Sequence, residues 1–145
     1  MYNKVVVAVD LSDETNKVVE RALALVNAQA GKLVLVHVVE PIPPVWGMET
    51  YTLDPIDLQQ RILDNAADKL GELGGIRGIE GSNLHTVLGS PAVEIRTLAE
   101  KLKADAIVIG SHGHSGWKLM LGSTANKLLH GASCDVLTVH VGSES

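Results

Sequence analysis

Three short stretches are apolar almost without interruption: Lys4–Val9 (KVVVAV), Leu33–Val39 (LVLVHVV) and Ala106–Ile109 (AIVI). A strand with one wet face alternates apolar and polar residues, so unbroken β-branched runs belong to strands covered on both faces. Parallel sheets clad by helices are the main setting for such strands. The segment between the first two runs has helical periodicity. After a cap at Ser12 or Asp13, Val18, Val19, Ala22, Leu23, Leu25, Val26 and Ala30 share one face, and Gly31 supplies a stop. A helix between two buried strands makes a βαβ unit with parallel strands and a right-handed crossover.

The alternation continues. Asp54-Pro55 opens a second helix whose buried face is Ile56, Ile62, Leu63, Ala66, Leu70 and Leu73, with Gly74-Gly75 as its end. Residues 76–82 carry no clear pattern. Leu84–Leu88 is the third strand, and Ser90-Pro91 caps a helix to about Lys103 with Val93, Ile95, Leu98, Ala99 and Leu102 apolar. A fourth helix is expected from Ser123 to Gly131, then a fifth strand over Asp135–Val141. Strands and helices in strict alternation predict an α/β fold: a doubly wound, five-stranded parallel sheet with helices on both faces, one domain over residues 1–145. In the Rossmann-like order 3-2-1-4-5, the order reverses between strands 1 and 4. Ligands of such sheets bind beyond the carboxyl ends of the strands at that reversal, here between Asp10 and Gly110.

Composition narrows the function classes. Phe is absent and aromatics are 3% of the chain, so the core is packed from Val, Leu, Ile and Ala. A net charge of -5 argues against a nucleic-acid footprint, which needs clustered Lys and Arg. The single cysteine, Cys134, excludes an internal disulfide and a multi-Cys metal site. No signal-peptide pattern is visible, and the apolar runs are far shorter than the roughly 20 residues of a membrane span. A cytoplasmic location without membrane association is the expectation.

The stretch Asp105–Asn126 (DAIVIGSHGHSGWKLMLGSTAN) is the richest in chemistry. A buried strand opens into glycines at Gly110, Gly113, Gly116 and Gly122 before a helix begins, an arrangement that suits an anion held by backbone N–H groups. It is not a P-loop, a G-x-G-x-x-G fingerprint or a G-x-S-x-G elbow. Asp10 ends a buried strand, where a carboxylate is expensive unless hydrogen-bonded; it either accepts from a ligand's hydroxyl or amine or caps the following helix. His112 is placed to donate to a phosphate, His114 to fix the loop, and His37 and His85 read as hydrogen-bonded strand residues. No metal site is expected from this spacing. Pro41, Pro43 and Pro44, followed by Trp46, Met48 and Tyr51, mark an irregular loop that covers a site or packs as a surface excursion.

Gly110-Ser111-His112-Gly113 with Gly122-Ser123-Thr124 resembles the nucleotide-binding loop of the universal stress protein family. VVVAVDLSDET, VLGSPAVEI, DAIVIGSHG and CDVLTVHV match in order and spacing, so the resemblance covers the whole chain. It implies a stress-response regulator that binds ATP or a related adenine nucleotide, with or without Mg. By that resemblance Ala8, Val9, Asp10, Val38 and Ile109 lie at the base and ribose, Gly110, His112 and Gly113 near ribose and phosphates. Gly122, Ser123 and Thr124 would serve the phosphates. The family pairs its last strand with the copy in a second chain, which implicates Val139 and Val141 in a homodimer.

ATP-binding members have nine residues between the second and third glycines; here Gly113 and Gly122 enclose eight, and Trp117-Lys118 resembles members that do not bind ATP. A second reading is therefore a dimeric interaction module without nucleotide. A third is a flavodoxin-like electron carrier, for which Trp46, Tyr51 and Trp117 are the available ring partners. No residue pair resembles a general base with an oriented water, so a turnover enzyme is not expected beyond weak ATP hydrolysis.

Overall fold

The structure, a computed structural model, describes residues 2–42, 55–110, 126–128 and 130–140. Within them lie strands β1 (Val5–Ala8), β2 (Leu33–Val39), β3 (Leu84–Leu88), β4 (Ala106–Gly110) and β5 (Asp135–Val139). They form one sheet in the order β3-β2-β1-β4-β5, every pairing parallel, as the alternation predicts. Helices α1 (Thr15–Leu25), α2 (Pro55–Ile76), α3 (Pro91–Leu102) and α4, described at 126–128 and 130–131, lie between strands.

Right-handed crossovers explain which face each helix takes. From β1 through β2 to β3 the chain steps one way across the sheet, and from β3 through β4 to β5 the other way, so α1 and α2 fall on one face and α3 and α4 on the other. Val18, Val19 and Ala22 of α1 and Leu70 of α2 pack with Val5, Val7, Leu33, Leu35 and Val108. Ala92, Ile95 and Ala99 of α3 and Leu128 of α4 pack with Val6, Val34, Val36 and Ile107. β1 and β4 are buried throughout, whereas the edge strands β3 and β5 are mostly half-exposed, which is why their sequences mix polar with apolar residues.

Asp105 ties the amino end of the sheet. Its Oδ2 accepts from the N–H groups of Asn3 (2.6 Å) and Lys4 (2.9 Å), and its own N–H donates to the Lys4 carbonyl at 2.8 Å. Those backbone donors, Asn3 first, hold its carboxyl below the usual carboxylate range. Beside it, the Tyr2 hydroxyl donates to Asp135 at 2.7 Å.

The helix ends differ from expectation. α1 stops at Leu25 rather than near Ala30, because Asn27 adopts φ 54° and its neighbour Ala28 φ 61°. The Ala28 N–H then donates to the Leu23 carbonyl (2.8 Å) and that of Asn27 to Ala24 (3.3 Å), a Schellman closure with Asn in the place that glycine usually takes. α2 runs through Gly74-Gly75 to Ile76 and closes the same way at Gly78 (φ 75°), with Ile79 donating to Gly74 at 2.9 Å and burying its side chain.

Three residues expected in helix cores are exposed: Ile56 (77%), Ile62 (39%) and Val93 (45%). α2 has 22 residues, about 33 Å of helix, and packs on five-residue β3, about 17 Å long, so its first turns overhang the sheet. The proline-rich loop and the expected cap at Asp54 lie outside the described residues.

Where α2 does meet β3 the approach is close. A Cβ at Gly74 would stand 2.7 Å and 3.0 Å from the two methyls of Leu84, while Gly71 and Gly75 face open space. Gly74→Ala must push the Leu84 methyls aside, which offsets the helix-propensity gain, so its stability should stay within about 0.5 kcal/mol of wild type. Gly71→Ala and Gly75→Ala should each stabilise by about 0.5–1 kcal/mol. Urea midpoints of the three variants check the difference.

Candidate functional site

At the carboxyl edge of the sheet, Ala8 of β1 stands beside Ile109 of β4, and one residue further the chain reaches Val9 and Gly110. The strands on either side depart in opposite directions here, so no crossover helix closes the gap between these two ends. Ala8, Val38 and Ile109 face the α3 side, and Val9 the α1 side. All four side chains are buried, as is Gly110, which pairs with Val139; Asp10 is half-buried.

Asp10 is held by a clasp. Its Oδ1 accepts from the Ser12 N–H (3.0 Å), the Ser12 hydroxyl (2.7 Å) and the Thr15 hydroxyl (3.1 Å). The clasp encloses Leu11 at φ 60°, a left-handed conformation that costs a bulky L-residue about 1–2 kcal/mol. A strained turn persists where its surroundings over-determine it, and three bonds to one carboxylate oxygen do so here. Ser12 also accepts from the Glu14 N–H at 3.2 Å, but Glu14, not Ser12 or Asp13, occupies the cap position, and its side chain makes no cap bond. Asp10 thus fixes the turn that leads into α1; none of these three bonds goes to a backbone N–H of the helix, which begins at Thr15.

Behind the edge stands His37 of β2. Its Nδ1 lies 2.8 Å from the Val9 carbonyl oxygen, which requires Nδ1 to carry the proton, since a carbonyl only accepts. The expected hydrogen-bonded strand histidine is therefore found. Burial lowers its pKa, opposed by the Val9 bond and the Asp10 charge and assisted by Lys69. His85, on β3, is lowered by burial and by Lys101.

The structure thus brings together Ala8, Val9, Asp10, Ile109 and Gly110 at one edge, with Val38 on the neighbouring strand. His112, Gly113, Gly122, Ser123, Thr124 and Val141 lie outside the described residues. Thr15, 3% exposed, and Leu11 were not singled out as site residues. A lone Thr in a helix start and a Leu after Asp10 carry no local signal of a strained, clasped turn.

A profile described as the universal stress protein family matches residues 1–140. This chain belongs to the universal stress protein family. Universal stress protein A homolog 1 of Coxiella burnetii is 38% identical over 138 residues, covering 95% of this chain and 96% of that one. Universal stress protein YxiE of Bacillus subtilis is 31% identical over 152 residues, covering 96% and 99%. Among solved structures, universal stress protein UspA from Lactobacillus plantarum superposes with a TM-score of 0.72 at 20% identity, covering 96% and 99%; it shares the fold. A universal stress protein in complex with cAMP superposes with a TM-score of 0.60 at 27% identity, covering 97% and 98%. No described helix of this universal stress protein is long and apolar enough to cross a membrane.

The lowered pKa of His37 sets a pH dependence. The unfolded chain takes up the proton near the ordinary histidine value of 6.5, the folded chain at lower pH, so stability is full above 6.5 and falls as pH drops below it. The urea midpoint should decline between about pH 7 and pH 5. His37→Asn, which cannot titrate, should make that decline shallower, the remainder coming from His85, whose pKa is lowered as well.

Proposed function

We propose that this universal stress protein binds ATP or a related adenine nucleotide at the carboxyl edge between β1 and β4, and acts in the stress response as a regulator rather than a turnover enzyme. The observation that carries the reading is the Asp10 carboxylate, half-exposed and rigidly clasped at the crevice where strand order reverses. The residues fit such a group. Asp10 offers an acceptor to ribose hydroxyls, Gly110 presents backbone without a side chain, and Ala8, Val38 and Ile109 form the apolar wall behind the base. Gly113, Gly122, Ser123 and Thr124, with His112, would supply N–H, hydroxyl and imidazole donors to the phosphates. The cAMP complex of a relative supports an adenine nucleotide as the ligand class.

In this reading the ligand biases which surface the chain offers to protein partners. The chain works in the cytoplasm as a homodimer paired along β5, whose outer backbone edge needs covering. The Val139 side chain is 7% exposed and packs into its own core, so its share in pairing runs through its backbone; Val141 would follow it.

A second reading, a dimeric interaction module without nucleotide, is favoured by the eight-residue interval between Gly113 and Gly122. Denaturing the purified protein and identifying any released nucleotide, then titrating ATP and AMP with and without magnesium, separates the two. No released nucleotide and no binding at millimolar concentration would establish the second. On the first, Asp10→Ala weakens binding about tenfold, as loss of a charge-assisted hydrogen bond predicts, in protein that circular dichroism shows to be folded. Unchanged affinity with lowered stability would reduce Asp10 to a residue that fixes the turn before α1.

A further inference from the structure

The hydrogen-bond ladder of β1 stops at Val9. The Val9 N–H donates to the Val36 carbonyl at 2.9 Å, and its carbonyl, at a residue 1% exposed, accepts from His37 Nδ1 at 2.8 Å. That oxygen belongs to the same planar unit as the Asp10 nitrogen. Fixing it fixes the plane from which Asp10 departs, immediately before the left-handed Leu11 and the clasp that closes on Ser12 and Thr15. A ring is a stiffer anchor than a long flexible donor, and this one is rooted in the middle of a buried strand.

His37 cannot be part of the wall that faces the base. Val36 and Val38, its neighbours in β2, point to the α3 side with Ala8 and Ile109, and side chains alternate along a strand. The imidazole therefore stands on the opposite side of the sheet, where it braces the peptide from behind.

Resting on the nucleotide reading above, we propose that His37 is a positioning residue of the site: its Nδ1–H holds the Val9 carbonyl and so aims the Asp10 carboxylate at the ligand. Asn carries its Nδ2 where His carries Nδ1, whereas Leu fills similar space with no donor. This makes His37→Asn the rescuing variant and His37→Leu the disruptive one.

The test uses the full chain with ATP as probe, by calorimetric titration of wild type, His37→Leu, His37→Asn, Asp10→Ala and the His37→Leu/Asp10→Ala double variant. Hydrogen exchange of the Ser12 amide, which donates to Asp10, is followed in parallel. We expect His37→Leu to weaken ATP about tenfold and His37→Asn to stay within about threefold. In the Asp10→Ala background, His37→Leu should add less than about twofold, since both act through one carboxylate. The Ser12 amide should exchange faster in the Leu variant and at the wild-type rate in the Asn variant.

Wild-type affinity in His37→Leu, an Asn variant as weak as Leu, or the full tenfold loss persisting without Asp10 would each overturn the proposal. If wild type binds no ATP at millimolar concentration, the nucleotide reading fails by itself. Exchange of Ser12 then decides the positioning claim: faster in Leu and not in Asn sustains it, and no change in Leu overturns it.

Discussion

A peptide group buried on both faces of a sheet has no water to bond, so every N–H and C=O of β1 must find its partner in β2 or β4. That obligation places β1 at the centre of the sheet, and its side chains are 0–2% exposed. It also locates the site. At Val9 the strands diverge, the ladder can no longer supply partners, and side chains take over: His37 for the carbonyl, and Asp10 for the donors of the turn that follows. The polar groups at this edge are thus first a solution to a backbone problem. The proposed role toward a nucleotide is built on that solution.

The same logic of unsatisfied backbone groups governs the helix ends. α1, α2 and α3 each close with a left-handed residue, respectively Asn27, Gly78 and Lys103, and each returns an N–H to a carbonyl of the last turn. Lys103 is an unfavourable residue for that conformation, and the closure forms regardless because the Ala104 N–H reaches the Ala99 carbonyl at 2.9 Å. Between α1 and α2, Arg77 adds a bridge: it donates to Glu20, to Asn16 at 2.6 Å and to the Leu73 carbonyl. Two crossovers on one face are thereby joined beside the turn that Asp10 clasps.

The parallel order β3-β2-β1-β4-β5 reverses between β1 and β4, so the candidate edge follows from topology, without reliance on the glycine loop. Solved structures that share this fold at 20–27% identity show how little of the sequence the scaffold needs. What it needs is volume and period: β-branched residues in the three inner strands, and small residues such as Ala22, Ala66, Ala92 and Ala99 where helices lie on them.

The strand runs and their alternation with helices are legible in the sequence, because burial on both faces leaves an unbroken apolar signature in β1, β2 and β4. The order 3-2-1-4-5 is one of the doubly wound orders that this alternation allows, and the tertiary structure selects it. The sequence also singled out Asp10 and Gly110, which topology alone brings to one edge. Helix ends were less legible. Gly31 and Gly74-Gly75 look like stops in the sequence, whereas the closures form at Asn27 and Gly78, since a stop is set by φ and by which carbonyl is within reach. Tertiary structure alone decided the rest. Ile56 and Ile62 are apolar in a helical period yet exposed, because α2 outruns the short edge strand beneath it. The roles of His37, Leu11 and Thr15 depend on a carbonyl left unpaired where two parallel strands part, a geometric fact that no local stretch of residues contains.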